Sequence, residues 1–446
     1  MVNTLKNIDY KNFFRIFAFV NFYCFVYYFS LFIIKILQPN YYLCVEVVNQ
    51  TIAFRETSIN FLYPLSCDQK NYFMGFENFN NIITTEFYPY QTRSLYILFV
   101  YLIGKVFYFI DNIFNLNINM ILNISTLFSQ IFIISVSVYL LDKLLQKQYS
   151  YGRLTLFFIT GLVSVNPLYK WGIFTPSHQL LTLLVLIMGI FVLDNYKYYE
   201  LKKTSIILGI LYLGHRSFLL VYLIYVFVRF IIQKKRNILE YLKSLGIFAI
   251  PSIFFYLYIR MLGYHPYDAA TEYWGQFIWV FYFIAGRIKS EGEWYCQSIP
   301  ENFICYFQDS INTVIYLLAP LVFVILKEIT DIYFYNKERS KIVEYGIIFA
   351  LVMYGFYSFI GWYPPLRFNL YSIGNCLIVI VCLQIARDTN IFQKFIYFIG
   401  LFTYFINLNH WNYPELVNFN NGIIFSIVLM SIYFIVRHLN HIKTQL

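Results

Sequence analysis

Long apolar segments recur from one end of this chain to the other, and this repetition excludes most soluble folds. Of its 446 residues, 59% are hydrophobic and only 13% are charged, whereas a soluble domain has about 25% charged residues. Segments of this composition are typical of helices that cross a lipid bilayer. The sequence therefore predicts an all-α polytopic membrane protein, with residues 1–446 forming a single transmembrane domain.

About twelve transmembrane helices are predicted, within a range of eleven to thirteen. A further apolar segment, 94–110, is the thirteenth candidate, and its position decides the orientation of every later span. The twelve segments are 13–37, 119–141, 154–169, 178–195, 204–214, 217–232, 244–262, 312–327, 344–361, 368–386, 393–407 and 421–437.

Basic residues in short loops predict the orientation, because loops rich in Lys and Arg stay in the cytoplasm. One assignment places all the groups of basic residues in the short connecting loops inside the cell, provided that 94–110 is a helix lying along the outer membrane surface. It predicts cytoplasmic termini, a first outer loop at 38–118 and a second at 263–311. Topology thus explains the formal charge of +10. The sequence has no basic cluster interleaved with exposed aromatics, which is the pattern that would indicate nucleic-acid binding. The inside groups include Lys143, Lys197, Lys234, Lys327, Arg387 and Lys394.

The cysteines divide between loops and spans. One disulfide within each outer loop is a possible pairing in an oxidising compartment, although spacing does not fix the connectivity and free thiols are the alternative. No Cys/His set has zinc-like spacing, so no cofactor is predicted and dependence on a divalent metal is left open. The loop cysteines are Cys44, Cys67, Cys296 and Cys305, and the span cysteines are Cys24, Cys376 and Cys382.

Polar residues collect directly after the first span, in the segment CDQKNYFMGFENFNN at 67–81. Its Asp68 is a candidate general base that would take a proton from an acceptor hydroxyl, and a solvated loop acid is the alternative. Cations at the outer ends of spans would suit a phosphate, which Arg binds in bidentate fashion; interfacial snorkelling is the alternative for each. These cations are Arg93, Lys170, Arg216 and Arg367.

The order of these segments resembles that of the GT-C superfamily of integral membrane glycosyltransferases, which includes the protein O-mannosyltransferases and the aminoarabinose transferases of lipid A. DQKNY at 68–72 is similar to the acidic element after the family's first span, and TRSLYILFVYLIGKVF at 92–107 is similar to its surface helix. The resemblance continues in order over roughly residues 10–385. Its later parts are NPLYKW at 166–171, TPSHQLLTLLVLI at 175–187, ILGILYLGHRSFLLV at 207–221 and PPLRFNLY at 364–371.

What the resemblance implies is an inverting glycosyltransferase with its active site on the extracytoplasmic side. Such an enzyme takes a sugar from a polyprenyl-phosphate-linked donor and passes it to a lipid, glycan or protein acceptor. Asp68 would be the base, and the outer cations would hold the leaving phosphate.

The chain departs from the family at Gln69, where a second acid is common, so Glu77 or Glu86 would have to supply that partner. Three residues of the quoted segments are further candidates for substrate binding: Tyr72, His178 and His215. An O-antigen or capsule polymerase is the alternative function, and it would not need an acid after the first span. A lipid-linked glycan flippase or transporter is a weaker alternative, because the spans are nearly free of charge and show no repeat.

Overall fold

The structure is a computed structural model in which nearly all regular structure is helical. A single short hairpin in the described residues pairs β1 (Ile52–Phe54) antiparallel with β2 (Thr57–Ile59). The prediction of an all-α chain is therefore confirmed in its class. The structure describes residues 9–37, 52–54, 57–59, 69–85, 89–115, 121–166, 178–194, 200–232, 238–267, 322–334, 338, 340–360, 370–407 and 419–445.

The helices follow the apolar segments of the sequence closely, and every predicted span falls on a helix or overlaps one. In chain order they are α1 (Tyr10–Leu37), α2 (Gln69–Glu77), α3 (Asn80–Thr84), α4 (Ser94–Phe114), α5 (Ile121–Gln146), α6 (Arg153–Ser164), α7 (Leu181–Asp194), α8 (Leu201–Tyr212), α9 (Phe218–Ile232), α10 (Ile238–Met261), α11 (Lys341–Ile360), α12 (Asn375–Arg387), α13 (Ile391–Asn407) and α14 (Phe419–Gln445). Short 3-10 helices cover Pro89–Arg93 and His178–Leu180, and π-helical turns cover Thr330–Phe334 and Leu370–Gly374.

Helix length does not match the predicted number of crossings. Among the described residues, four helices are long and apolar enough to cross a membrane: Gln91–Phe114, Ile121–Gln146, Ile238–Met261 and Asn421–Asn440. Five further apolar helices among the described residues have only 10–17 residues. For example, α6 has 12 residues and extends over about 18 Å at the usual helical rise, against a hydrocarbon core of about 30 Å. The apolar pattern located the helices, but the predicted number of crossings is not supported.

The segment predicted to lie along the membrane surface, 94–110, is helix α4. With the preceding 3-10 turn it forms a run of 24 residues, which is long enough to cross a membrane. It buries Ile97 and Val100 and exposes Val106 and Phe109, and such an apolar outer face suits contact with lipid. The surface position of this segment stays a prediction.

The chain divides into two compact units. The first comprises Met1–Asn81, Tyr96–Leu180 and Val381–Leu446, and the second comprises Ile82–Leu95 and Leu181–Ile380. No Gly- or Ser-rich linker in the sequence marks these boundaries.

In the first unit, α1 and α6 pack against α5, and α13 packs against α6 and α14. The buried carboxyl group of Asp142, near the end of α5, connects this helix with α1 and with the residues just before α6. It accepts hydrogen bonds from Asn12 Nδ2 at 2.8 Å, on α1, and from Tyr151 Oη at 2.7 Å, before α6. A hydrogen bond to a charged group contributes about 1.5–3 kcal/mol to stability, so Asp142 fixes this end of the unit.

Charged residues that the sequence pattern assigned to basic loops are buried in the first unit. Lys394 is 5% exposed and donates to Thr155 Oγ1 at 2.8 Å. Arg387 is also buried, and next to it Asp388 accepts from Tyr433 Oη at 2.9 Å. These residues therefore contribute to packing as well as to the charge of the loops.

The second unit contains an unusually close helix pair, α8 and α10. A Cβ added at Gly209 of α8 would lie 2.2 Å from the carbonyl oxygen of Phe248 on α10. The hydroxyls of Ser205 and Ser244 lie 2.8 Å apart across the same contact. Small residues let two helix backbones approach in this way, and the obstruction at Gly209 is backbone, which cannot rotate aside.

The second unit also contains a buried ion pair. Lys327 Nζ lies 3.7 Å from Asp331 Oδ2, and both side chains have 0% exposure. The pair lies where the helical segment 322–329 passes into the π turn Thr330–Phe334. The spans were predicted to be nearly free of charge, and this pair was not foreseen. Lys327 had been assigned to the loop that follows the span 312–327.

Candidate functional site: a cationic turn and a tyrosine–histidine pair

Two of the predicted outer cations, Arg93 and Arg216, lie near one buried histidine in the second unit. We call the group formed by Arg93, His215 and Arg216 the cationic turn, after the turn that contains the last two of these residues. His215 and Arg216 belong to the sharp turn between α8 and α9, in which the His215 amide donates to Leu211 O at 3.1 Å. Arg93 comes to the same place because the amide of Leu95, at the start of α4, donates to Leu213 O at 3.1 Å.

The imidazole of His215 is held neutral. Burial, together with the positive charges of Arg93 and Arg216, lowers the pKa of His215 from 6.5 to about 3, and burial is the largest of these causes. The backbone N–H of Ser217 donates to His215 Nδ1 at 3.2 Å, so the ring proton is on Nε2. The cationic turn therefore combines two guanidinium groups with a neutral N–H donor, a combination that suits an anion.

This turn makes the stability of the protein sensitive to acid. The unfolded chain protonates His215 near pH 6.5 and the folded chain only near pH 3, so stability is complete above pH 6.5 and falls as the pH drops towards 3. At pH 5 we expect a loss of about 2 kcal/mol from this residue. Unfolding midpoints of the purified protein at pH 7.5 and pH 5 measure the effect.

The matched variants are His215→Asn, whose amide oxygen can still accept from the Ser217 N–H, and His438→Asn, which changes an exposed histidine on α14. The shift between pH 7.5 and pH 5 should shrink in His215→Asn and stay at the wild-type value in His438→Asn. Equal shifts in all three proteins would show that His215 is not the acid-sensitive group.

Residues that sequence reasoning missed hold the surroundings of the cationic turn. Ser217 Oγ forms a hydrogen bond with Tyr357 Oη on α11. The buried Gln91 donates to Ile82 O at 2.8 Å and accepts from the Tyr267 amide at 2.7 Å. The chain has 44 tyrosines, and nothing in the sequence distinguishes Tyr357 from the others. Gln91 gave no signal because its role is set by residues far away in the chain.

A second pair of predicted residues meets in the first unit. Tyr72 Oη lies 2.6 Å from His178 Nδ1, and both side chains are buried. The Tyr72 ring meets the edge of the Tyr96 ring at 5.9 Å, and Tyr96 Oη accepts from Gln130 Nε2 at 3.0 Å. Gln130 was also missed, although a buried amide within an apolar span is a signal that could have found it.

The other predicted site residues are less informative. Glu77 is exposed at the last position of α2, and the three span cysteines are buried free thiols. The remaining predictions lie outside the described residues: Asp68, Glu86, Lys170, Arg367, Cys44, Cys67, Cys296 and Cys305. Among the described candidates, the structure thus brings Arg93, His215 and Arg216 together, and separately Tyr72 and His178.

No protein-family model, no curated protein and no solved structure matches this chain. Its fold and its four long apolar helices place it in the class of α-helical membrane proteins.

Proposed function

We propose that this chain is a membrane glycosyltransferase. It transfers a sugar from a polyprenyl-phosphate-linked donor to a lipid, glycan or protein acceptor on the extracytoplasmic face. The observation that carries the proposal is the cationic turn, in which Arg93 and Arg216 lie near the neutral His215. Negative charge develops on the donor phosphate as the glycosidic bond breaks, and cations fixed in advance stabilise that charge.

Local structure supports the phosphate-binding role of the cationic turn. Arg93 directly precedes α4, and Arg216 lies two residues before α9. The N-terminal end of a helix has a partial positive charge, which favours anions near both arginines. The bond from Leu95 N to Leu213 O holds the two backbone segments together, so little rearrangement is needed when the phosphate arrives.

In the proposed reaction the acceptor oxygen attacks the anomeric carbon while the bond to the donor phosphate breaks, with inversion. Asp68 takes the acceptor proton, and Arg367 and Lys170 add positive charge for the phosphate. The proposed topology has cytoplasmic termini, with 94–110 along the outer surface.

The test is transfer by the purified protein in detergent. Synthetic polyprenyl-phosphate sugars and nucleotide sugars are supplied in parallel with a lipid extract as acceptor, and mass spectrometry follows the loss of each donor. We expect consumption of a polyprenyl-linked donor, release of polyprenyl phosphate, and no consumption of nucleotide sugars. Transfer from a nucleotide sugar would refute the proposal. So would a result in which none of a broad panel of polyprenyl-linked donors is consumed.

A flippase for lipid-linked glycans is the second candidate, because of the buried ion pair between Lys327 and Asp331. Charged residues inside a membrane bundle often mark a transport pathway. A flippase acts only across a sealed bilayer and leaves the sugar–phosphate bond intact, whereas a transferase breaks that bond in detergent. Movement of intact donor in vesicles without product would favour the flippase.

A further inference from the structure

We propose that Tyr72 and His178 form a positioning pair whose hydrogen bond fixes helix α2, which begins one residue after Asp68 in the sequence. The inference rests on the proposed function, in which Asp68 is the base. It concerns two residues that need not touch the substrate. Their hydrogen bond joins parts of the chain that are 106 positions apart.

Helix α2 needs such a bond because it is short. It has nine residues, Gln69–Glu77, and isolated helices below about 12 residues are marginal in water. Its position therefore depends on contacts with the rest of the first unit. Both α2 and the 3-10 turn that begins at His178 lie against α5, so the bond joins two elements on one supporting helix.

The surroundings of Tyr72 make its hydroxyl the group that sets the orientation. The Tyr72 ring stacks on Phe76 at 5.9 Å and meets the edge of Tyr96 at 5.9 Å. These ring contacts hold the aromatic body, whereas the hydroxyl reaches His178 Nδ1 at 2.6 Å. With the tyrosine O–H as donor, the imidazole accepts at Nδ1 and keeps its proton on Nε2.

Four variants separate positioning from other roles. Tyr72→Phe keeps the ring and removes the hydroxyl. His178→Asn places an oxygen near the position of Nδ1 and can still accept, whereas His178→Gln places its polar atoms near Nε2 and loses that acceptor. Tyr108→Phe, at an exposed tyrosine of α4, is the control for removing a hydroxyl.

Amide hydrogen exchange over residues 69–77 measures the position of α2 without any substrate. We expect exchange about tenfold faster in Tyr72→Phe and His178→Gln, as the loss of one buried hydrogen bond implies. His178→Asn and Tyr108→Phe should exchange at close to the wild-type rate. Unchanged exchange in Tyr72→Phe overturns the inference. Because this readout needs no activity, it stands or falls separately from the proposed function.

Turnover then tests whether positioning matters for the reaction. Tyr72→Phe and His178→Gln should lower kcat by about tenfold or more with little change in KM for the donor, since the base is misplaced while the phosphate is still held. His178→Asn should restore most of kcat. If His178→Asn is as impaired as His178→Gln, the imidazole itself transfers a proton and positioning is not its role.

Discussion

Arg216→Gln should lower sugar transfer by about a hundredfold or more and weaken donor binding as well. Glutamine keeps hydrogen-bonding capacity but removes the positive charge beside His215. The loss of one preorganised group that stabilises transition-state charge costs about a hundredfold to a thousandfold in rate. The measurements are kcat and KM for the polyprenyl-linked donor, with direct titration of donor binding to the purified variant.

Two further variants make the Arg216 result specific. Arg216→Lys should recover only part of the rate, because an ammonium group is a point charge and lacks the planar fork of guanidinium. Arg260→Gln removes an exposed arginine near the end of α10 and should transfer sugar at close to the wild-type rate. If Arg216→Gln and Arg260→Gln behave alike, the cationic turn is not the phosphate site.

Asp68→Asn should lower turnover by about a hundredfold or more while donor binding persists. The change keeps the shape of the side chain and removes only its ability to accept a proton, which is the step assigned to it. Asparagine is nearly isosteric with aspartate, and helix α2 begins only at the next residue, Gln69. The fold should therefore be retained, and single-turnover transfer beside donor titration separates chemistry from binding.

Asp111→Asn, at a partly exposed acid of α4, is the matched control and should leave transfer intact. A folded Asp68→Asn protein with unimpaired transfer would contradict the base assignment. That outcome would favour a polysaccharide polymerase, since such an enzyme does not require an acid after the first span.

The sequence was a good guide where hydrophobic pattern and local turn chemistry decide the structure. Apolar segments located the helices because burial of apolar surface determines where they form. The predicted spans 204–214 and 217–232 leave room only for a tight turn between them, and α8 does end at Tyr212 and α9 does begin at Phe218. Arg93 and Arg216 were both predicted to belong to one group of cations, and both lie close to His215; their side of the membrane stays a prediction.

The sequence failed where a residue's environment depends on distant parts of the chain. Lys394 has a loop-like position in the sequence, yet Thr155, 239 residues away, accepts from its amine inside the unit. The bond between Tyr72 and His178 is equally invisible, because neither residue has a local pattern that indicates its partner. The number of crossings was also overestimated, since an apolar segment can form a helix that is too short to cross a membrane.

The close contact at Gly209 limits where this protein can change shape. Two helices whose backbones touch cannot slide or rotate past one another without separating, so α8 and α10 should move as one body. His215 and Arg216 lie in the turn that begins after α8 ends at Tyr212 and would travel with that body. Any opening and closing during a reaction cycle would then come from hinges elsewhere in the chain, while the spacing of the anion-binding groups in this turn stays constant.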